Sequence, residues 1–366
     1  MFAKNKIQRI LVAPLDWGLG HTTRCIPIIG RLLQSGATVV LAGNAVQKKV
    51  LQDEFPNCEF LDLQGYNISY STSKFFFALK LFWQIPKILR AIRHENRWLA
   101  QAIEAHRLDA VISDNRYGLY SNLVPSVFIT HQLQIKAGYL SEKVLKFFNY
   151  RLIQKFQQCW IPDFETGVSL GGLLSHPNRL PKIPCKYIGP LSRMEPCEPK
   201  SKETQLLILL SGPEPQRTLF EKKVLKQIHQ TQGKVVVVRG LPKAEQNYEL
   251  PGARVYNHLS SKELNKEMCK ASMIVCRSGY SSVMDVYTAG VRAILVPTPG
   301  QTEQEYLAKH LMAEGFCIGR PQKNFSLARS LEEAEQFCYK NHSKKANDRL
   351  QQVVAEFLAD RTTARL

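Results

Sequence analysis

No stretch of this 366-residue chain is apolar for long enough to cross a bilayer. The most apolar run, residues 75–83, has nine residues and includes Lys80, whereas a membrane span needs about 20. No charged leader with a long apolar segment precedes residues 7–14, which read as a strand. The expectation is a protein that does not span the membrane and works in the cytoplasm. Metal-binding spacing is missing as well. The nine cysteines, at 25, 58, 159, 185, 197, 269, 276, 317 and 338, form no CxxC pair and no Cys/His cluster, so no metal site is expected. An odd count in a large chain points to free thiols in a reducing compartment, and Cys276 reads as a buried strand cysteine. There is no GxGxxG, no low-complexity segment, no short repeat and no recognisable nucleic-acid-binding motif.

What the chain does have is ordinary globular composition, 44% hydrophobic and 22% charged, and enough length for two domains of roughly 150–200 residues. Its net charge is +18. Such a balance suits nucleic acid, an anionic membrane or a phosphorylated substrate, or simply a Lys-rich surface.

Short β-branched runs alternate with helical patterns. Strands are expected at 10–13, 37–42, 110–113 and 126–130, with a helix at 22–34 whose Ile26, Ile29, Leu32 and Leu33 share one face. This is the rhythm of a parallel sheet. Six prolines between 177 and 199 then interrupt it, since proline continues neither helix nor central strand. A short strand at 186–188 lies inside that stretch. The rhythm restarts with strands at 206–210, 234–239, 273–276 and 293–297, helices at 215–230, 281–289 and 304–314, and a mostly helical tail from 331 to 360. The expected organisation is a first domain at 1–190, a linker at 191–203, a second domain at 204–345 and a C-terminal helix at 346–366 that packs back on the first domain. Two doubly wound halves place a ligand at the carboxyl ends of their strands, in a cleft.

Three motifs carry chemistry. Asp16-Trp17-Gly18-Leu19-Gly20-His21-Thr22-Thr23-Arg24 sits between the first strand and first helix. Its glycines allow close backbone approach, the helix start favours an anion or polarised hydroxyl, and His21 suits a general base. Ser211-Gly212-Pro213-Glu214-Pro215-Gln216-Arg217 occupies the matching place in the second half, where Ser211, Gly212 and Arg217 are candidates for phosphate oxygens. The third motif, Arg277-Ser278-Gly279-Tyr280-Ser281-Ser282 with Asp285, is a strand–turn–helix anion site. Asp285 is placed to accept ribose hydroxyls. Gln304 and Glu305, on the next strand–loop–helix, are placed for sugar hydroxyls. Helix-start charge compensation explains one of these carboxylates but not the whole set.

On these residues the chain resembles the GT-B fold glycosyltransferases of the MurG group, whose founding member adds N-acetylglucosamine to a lipid-linked peptidoglycan precursor and which the plant galactolipid synthases also resemble. The likeness is strongest over 275–311, good over 11–33 and moderate over 127–138, where Phe128-Ile129-Thr130-His131-Gln132 is similar to a strand ending in His-Glu-Gln. The resemblance implies an α/β chain of two Rossmann-like domains. It implies that Gly18, Gly20 and His21 face the acceptor and diphosphate and that Ser211 and Gly212 contact the donor phosphates. Arg277, Ser278, Gly279 and Ser281 would line the nucleotide pocket, with Leu259 near the base, and His131 and Gln132 would lie on the acceptor side. The first loop departs from the group's GTGGH, Ser-Gly-Pro-Glu-Pro from its GGSxG, and Gln132 from its glutamate, which implies a different acceptor.

The expected activity is inverting, metal-independent transfer from a UDP-sugar to a lipid-linked or small hydroxyl acceptor, without a further cofactor. His21 would be the base, Asp114 its orienting carboxylate and Asp16 a competing base, while helix dipoles and Arg277 would meet the departing diphosphate. Alternatives are an enzyme like UDP-N-acetylglucosamine 2-epimerase, which shares the fold, and a basic membrane- or nucleic-acid-binding protein without catalysis. Basic residues interleave with aromatics at 74–98 and 140–160, including Lys143, Lys146, Phe147, Phe148, Arg151 and Lys155. That pattern suits either an anionic membrane surface on the inner face of the cell membrane or two amphipathic helices packed on a sheet. No specific nucleic acid is expected.

Overall fold

The structure is a computed structural model that describes residues 8–66, 74–136, 139–198, 203–231, 233–242, 244, 250–340 and 348–359, with the backbone alone at 74–85 and 139–141. The chain divides into two compact units, Met1–Leu191 with Ala346–Leu366, and Ser192–Lys345.

The first unit runs β1 (Arg9–Pro14), α1 (Leu19–Gln34), β2 (Thr38–Gly43), α2 (Ala45–Glu54), β3 (Glu59–Asp62), α3 (Lys74–His106), β4 (Ala110–Asp114), β5 (Ser126–Ile129), α4 (Tyr139–Ile153), β6 (Gln158–Ile161) and β7 (Cys185–Tyr187). Its sheet has the order β3-β2-β1-β4-β5-β6-β7, with every pairing parallel. A parallel sheet carries helices on both faces, so its central strands are apolar throughout, and Ile10, Leu11, Val12 and Ala13 are all fully buried. Chain direction from β1 goes to β2 on one side and to β4 on the other, so the order reverses between β1 and β4. There the carboxyl ends of neighbouring strands splay their loops apart and leave room for a ligand.

In α1 the buried stripe is Cys25, Ile28, Ile29 and Leu32 together with Ile26. Leu33, expected on it, is an exposed large hydrophobic residue in the last turn of the helix. The far C-terminal helix, α10 (Asp348–Ala359), belongs to this unit. Phe357 meets Trp160 edge-on at 5.5 Å, Glu356 accepts from Lys186 at 2.8 Å, and Arg349 Nε reaches the Tyr187 carbonyl at 3.3 Å.

The second unit runs β8 (Thr204–Leu209), α5 (Gln216–Leu225), β9 (Val235–Val238), β10 (Ala253–Tyr256), α6 (Ser261–Lys270), β11 (Ala271–Cys276), α7 (Tyr280–Ala289), β12 (Ala293–Leu295), α8 (Thr302–Ala313), β13 (Ile318–Gly319) and α9 (Leu327–Gln336). Its parallel sheet is ordered β10-β9-β8-β11-β12-β13 and reverses between β8 and β11. The helix expected at 215–230 ends at Leu225 and is followed by a short 3-10 turn at Ile228–Gln230. The expectation of free thiols is corrected here: Cys197 and Cys269, 72 positions apart in sequence, form a disulfide with Cα atoms 5.2 Å apart. The other seven cysteines are free, and Cys276 is buried on β11.

A buried ion pair fixes the floor beneath the first loop. Arg116 is 0% and Glu95 2% exposed, and Arg116 Nε donates to Glu95 Oε1 at 2.7 Å. The second carboxylate oxygen takes the Tyr66 hydroxyl at 2.5 Å and the Gly118 amide at 3.0 Å. Arg116 then reaches the Pro14 carbonyl at 3.4 Å and the Gln64 carbonyl. Removing one partner strands the other charge away from water. Glu95→Ala is therefore expected to lower unfolding free energy by about 3–5 kcal/mol, read as a fall in the urea midpoint.

Candidate functional site

Each unit has a polar centre at the reversal of its own sheet. In the first unit, β1 ends at Pro14 and α1 opens at Leu19 after Gly18, whose φ of 92° suits glycine. No side chain caps α1 and no acidic residue lies in its first turn, so its N-terminal amides keep their pull on negative charge. The turn is held from below: Gln47 of α2 donates to the Pro14 carbonyl at 3.0 Å and the Leu15 carbonyl at 3.1 Å.

His21 lies in that first turn with 16% of its side chain exposed. Its Nδ1 is 3.1 Å from Oδ2 of Asp114, the last residue of β4, so the expected pair is in contact. Asp114 is fully buried. Arg24 donates to it from Nε at 2.8 Å and also from Nη2. Burial alone pushes the Asp114 carboxyl up, but Arg24 and then His21 outweigh it and hold it down at about 2. Burial, and next the Arg24 cation, draw the His21 imidazole below its ordinary value despite Asp114. The ring is therefore uncharged at neutral pH. His131, 3% exposed, joins the group through Arg24 Nη1 at 3.0 Å. Gln132 beside it accepts from Asn149 through its backbone carbonyl at 2.9 Å.

Asp16 is differently placed. Its carboxyl rests against Gly65, where a Cβ would stand 1.6 Å from Oδ2, and accepts from the Tyr66 amide at 3.4 Å. It braces a backbone turn, whereas His21 has a buried carboxylate behind it. Sequence reasoning gave no role to Arg24, which closes the first motif one turn after His21. It missed Asn115, which takes φ +59° directly after Asp114 and whose Oδ1 is buried without a hydrogen-bond partner among the described residues. Asparagine tolerates the left-handed region better than most residues.

In the second unit three loops leave the carboxyl ends of β8, β11 and β12. Gly212 has φ +103°, and a Cβ there would meet the Thr298 hydroxyl oxygen at 3.7 Å. That hydroxyl is buried and makes no hydrogen bond among the described residues. Ser211 is half-buried beside it. Gly279 begins α7 without a side-chain cap, and no acidic residue occupies the first turn. Ser281 and Ser282 lie half-buried in that turn, which makes α7 a start suited to an anion. Ser278, fully buried, donates to the Gln304 carbonyl at 2.8 Å. The Gln304 amide accepts from Thr298 N–H at 2.8 Å and donates to Gln301 at 2.6 Å, and Glu305 accepts from Gly300 N–H at 3.2 Å. These two side chains shape the loop before α8.

The two arginines have protein partners. Arg217 donates to Glu214 at 2.6 Å and Glu221 at 3.0 Å. Arg277 is 1% exposed, donates to the carbonyls of Gln216, Val296 and Pro297 at 2.9, 3.2 and 3.4 Å, and lies 4.3 Å above the Phe220 ring. Both serve as struts for the loops, where the sequence suggested phosphate ligands. Asp285 accepts from the Ser192 hydroxyl at 2.7 Å, and burial pushes its carboxyl up. Leu259, 7% exposed, follows β10 at the sheet edge.

Residues 213–361 match the glycosyltransferase family 28 C-terminal domain. A 67-residue stretch is 40% identical to the UDP-N-acetylglucosamine–N-acetylmuramyl-(pentapeptide) pyrophosphoryl-undecaprenol N-acetylglucosamine transferase of Methylobacterium nodulans, covering 18% of each chain. An 87-residue stretch is 33% identical to the transferase of the same name from Saccharopolyspora erythraea, covering 23% of each. The aligned stretches thus span less than a quarter of those relatives' length. Whole-chain likeness is seen in solved structures. The MurG of Acinetobacter baumannii superposes with TM-score 0.57 at 16% identity, covering 95% of this chain and 98% of that one. The glycotransferase of kitacinnamycin gives 0.63 at 15%, covering 98% and 97%. The spinosyn rhamnosyltransferase SpnG, solved with thymidine diphosphate, gives 0.56 at 14%, covering 98% and 96%. The chain therefore has the GT-B fold, two Rossmann-like units with parallel sheets, and its residues 213–361 match the glycosyltransferase family 28 C-terminal domain.

Proposed function

We propose that this protein is a glycosyltransferase that moves a hexosyl or N-acetylhexosaminyl group from a UDP-sugar to the hydroxyl of a lipid-linked acceptor, with inversion and without a required metal. The observation that carries the reading is the contact of His21 with the buried Asp114 at the uncapped start of α1. The family 28 domain and the relatives' names, which specify UDP-N-acetylglucosamine and pyrophosphoryl-undecaprenol, supply the substrate classes.

In the step proposed, the acceptor O–H bond breaks and its proton moves to Nε2 of His21. The resulting imidazolium keeps its Nδ1–H on Asp114, whose low carboxyl value leaves it ionised to receive it. The acceptor oxygen attacks the anomeric carbon. The bond from that carbon to the diphosphate breaks, and its electron pair leaves with the diphosphate. The donor belongs to the second unit, where the start of α7, with Ser281 and Ser282, meets the diphosphate charge. Ser211 and Gly212 flank the phosphates, Asp285 takes ribose hydroxyls, and Gln304 and Glu305 approach the sugar.

The protein is also proposed to work on the inner face of the membrane as a peripheral protein. No described helix is long and apolar enough to cross a bilayer. On α4, however, Val144, Phe147 and Phe148 are 56%, 56% and 57% exposed. Lys143 and Arg151 are exposed beside them, and Arg151 lies 5.6 Å above the Phe147 ring. Exposed aromatics ringed by cations suit an anionic lipid surface. The companion segment at 74–85 has side chains outside the described residues, as do the basic residues at 341–345.

His21→Ala is expected to cut kcat by about a hundredfold or more, measured across a panel of UDP-sugars and lipid-linked acceptors; an unchanged kcat removes His21 as the base. The acid limb of kcat/KM in the wild type should lie below the ordinary imidazole value, since His21 must be unprotonated and its value is lowered. EDTA should leave the rate unaltered, and turnover of donor without any acceptor would favour an epimerase-like reaction. In flotation at low salt the protein should rise with anionic but not neutral liposomes, and Phe147→Ser with Phe148→Ser should abolish this; failure of the wild type to float rules the membrane surface out.

A further inference from the structure

His21 and Asp114 resemble a two-residue acid–base pair, but a third side chain touches both. Arg24, one helical turn after His21, reaches both the carboxylate and the imidazole. Its Nε and Nη2 clasp Asp114. The same Nη2 lies 2.9 Å from His21 Nδ1, while Asp114 Oδ2 lies 3.1 Å from that nitrogen.

One ring nitrogen cannot serve both neighbours at once. To donate to Asp114, Nδ1 must carry the hydrogen, which leaves the lone pair on Nε2. To accept from Arg24, Nδ1 must be bare, which puts the hydrogen on Nε2. The first form can take a proton from a hydroxyl, and the second can only give one. We infer that Arg24 is a positioning residue for His21: by sharing Nδ1 with Asp114 it keeps the imidazole uncharged and sets which ring nitrogen carries the hydrogen.

The surroundings give it that authority. Arg24 is 2% exposed and Asp114 0%, so water cannot screen the guanidinium from the ring. The titratable groups acting on His21 are Arg24 on its own helix, Asp114 at the end of β4, and His131 after β5. Asp114 favours imidazolium, and Arg24 and His131 oppose it. Cys25 points its thiol at Asp114 Oδ2 from 3.8 Å, and burial holds it as the neutral thiol. Arg24 is thus the permanent cation against the ring. It makes His21 a weaker base than a bare His–Asp pair would, and in exchange keeps it unprotonated to lower pH. This deepens the transferase reading and rests on it for its catalytic meaning.

The test is the imidazole nitrogen spectrum of the full-length protein labelled with ¹⁵N-histidine, with the His21 signals identified by their loss in His21→Gln. In Arg24→Gln the His21 midpoint should rise, and the share of Nδ1–H ring should increase. An unmoved or lower midpoint in a folded Arg24→Gln protein overturns the inference. If that variant does not fold, Arg24→Lys decides. A single ammonium keeps the charge but cannot hold both carboxylate oxygens and reach Nδ1. The midpoint should stay below the ordinary imidazole value while the nitrogen pattern shifts toward Nδ1–H, and an unchanged pattern overturns the inference. Neither reading uses turnover. A fully active His21→Ala enzyme would therefore defeat the proposed base without altering this result.

Discussion

A carboxylate sealed from water has to be met by donors from several directions, and in the first unit much follows from how Asp114 is met. Its backbone carbonyl takes the Leu15 amide at 2.9 Å, which ties the end of β4 to the loop leaving β1. Its side chain takes Arg24 twice and His21 once. These contacts set where α1 begins and how its first turn faces. The cost of burying the charge is offset only because Arg24 is buried with it. The chemistry of His21 is therefore inseparable from the packing of the sheet: the anchor of the fold and the orienting group of the proposed base are the same atoms.

The second unit solves a related problem with backbone carbonyls and amides as the main partners. Its loops have no regular ladder to hold them, so side chains take over. Arg277 gathers three backbone carbonyls, Gln304 receives an amide from the loop before it, and Ser278 returns a bond to the helix carrying Gln304. Residues that look like ligands in sequence thus act as the frame of the site. Among the groups proposed to meet the phosphates, the Gly212 backbone and the start of α7 are small, and the Thr298 hydroxyl beside Gly212 is buried without a hydrogen bond among the described residues. A diphosphate is well matched by such a surface, because amides at a helix start offer direction and partial charge without a flexible side chain to order.

The alternation of strands and helices was legible because buried parallel strands must be apolar along their whole length, as Val235–Val238 are. The chemistry-bearing loops were legible because they follow such strands. Several things were not. β3 has the burial pattern of an edge strand, exposed at Glu59 and Asp62, so no apolar run announced it. Of the long α3, residues 74–98 could be read as a membrane-facing stretch or as an amphipathic helix, and nothing in the sequence announced that one helix continues through Pro86 to His106. The roles of Arg217 and Arg277 could not be read, since an arginine beside a glycine-rich turn looks the same whether it grips a ligand or the protein. Nor could the pairing of Cys197 with Cys269, which depends on a meeting of segments 72 residues apart.

The return of α10 to the first unit has a consequence for the order of assembly. Val353, Val354, Phe357 and Leu358 are buried, with Phe357 against Trp160 beside the β6–β7 edge. On a ribosome these residues are made only after the whole second unit. The first unit emerges first but must wait, Trp160 and the α1 surface that α10 covers left open, while the second completes itself from one continuous stretch of chain. Synthesis order and completion order are thereby reversed, and the earlier unit is the one that most needs shelter during translation.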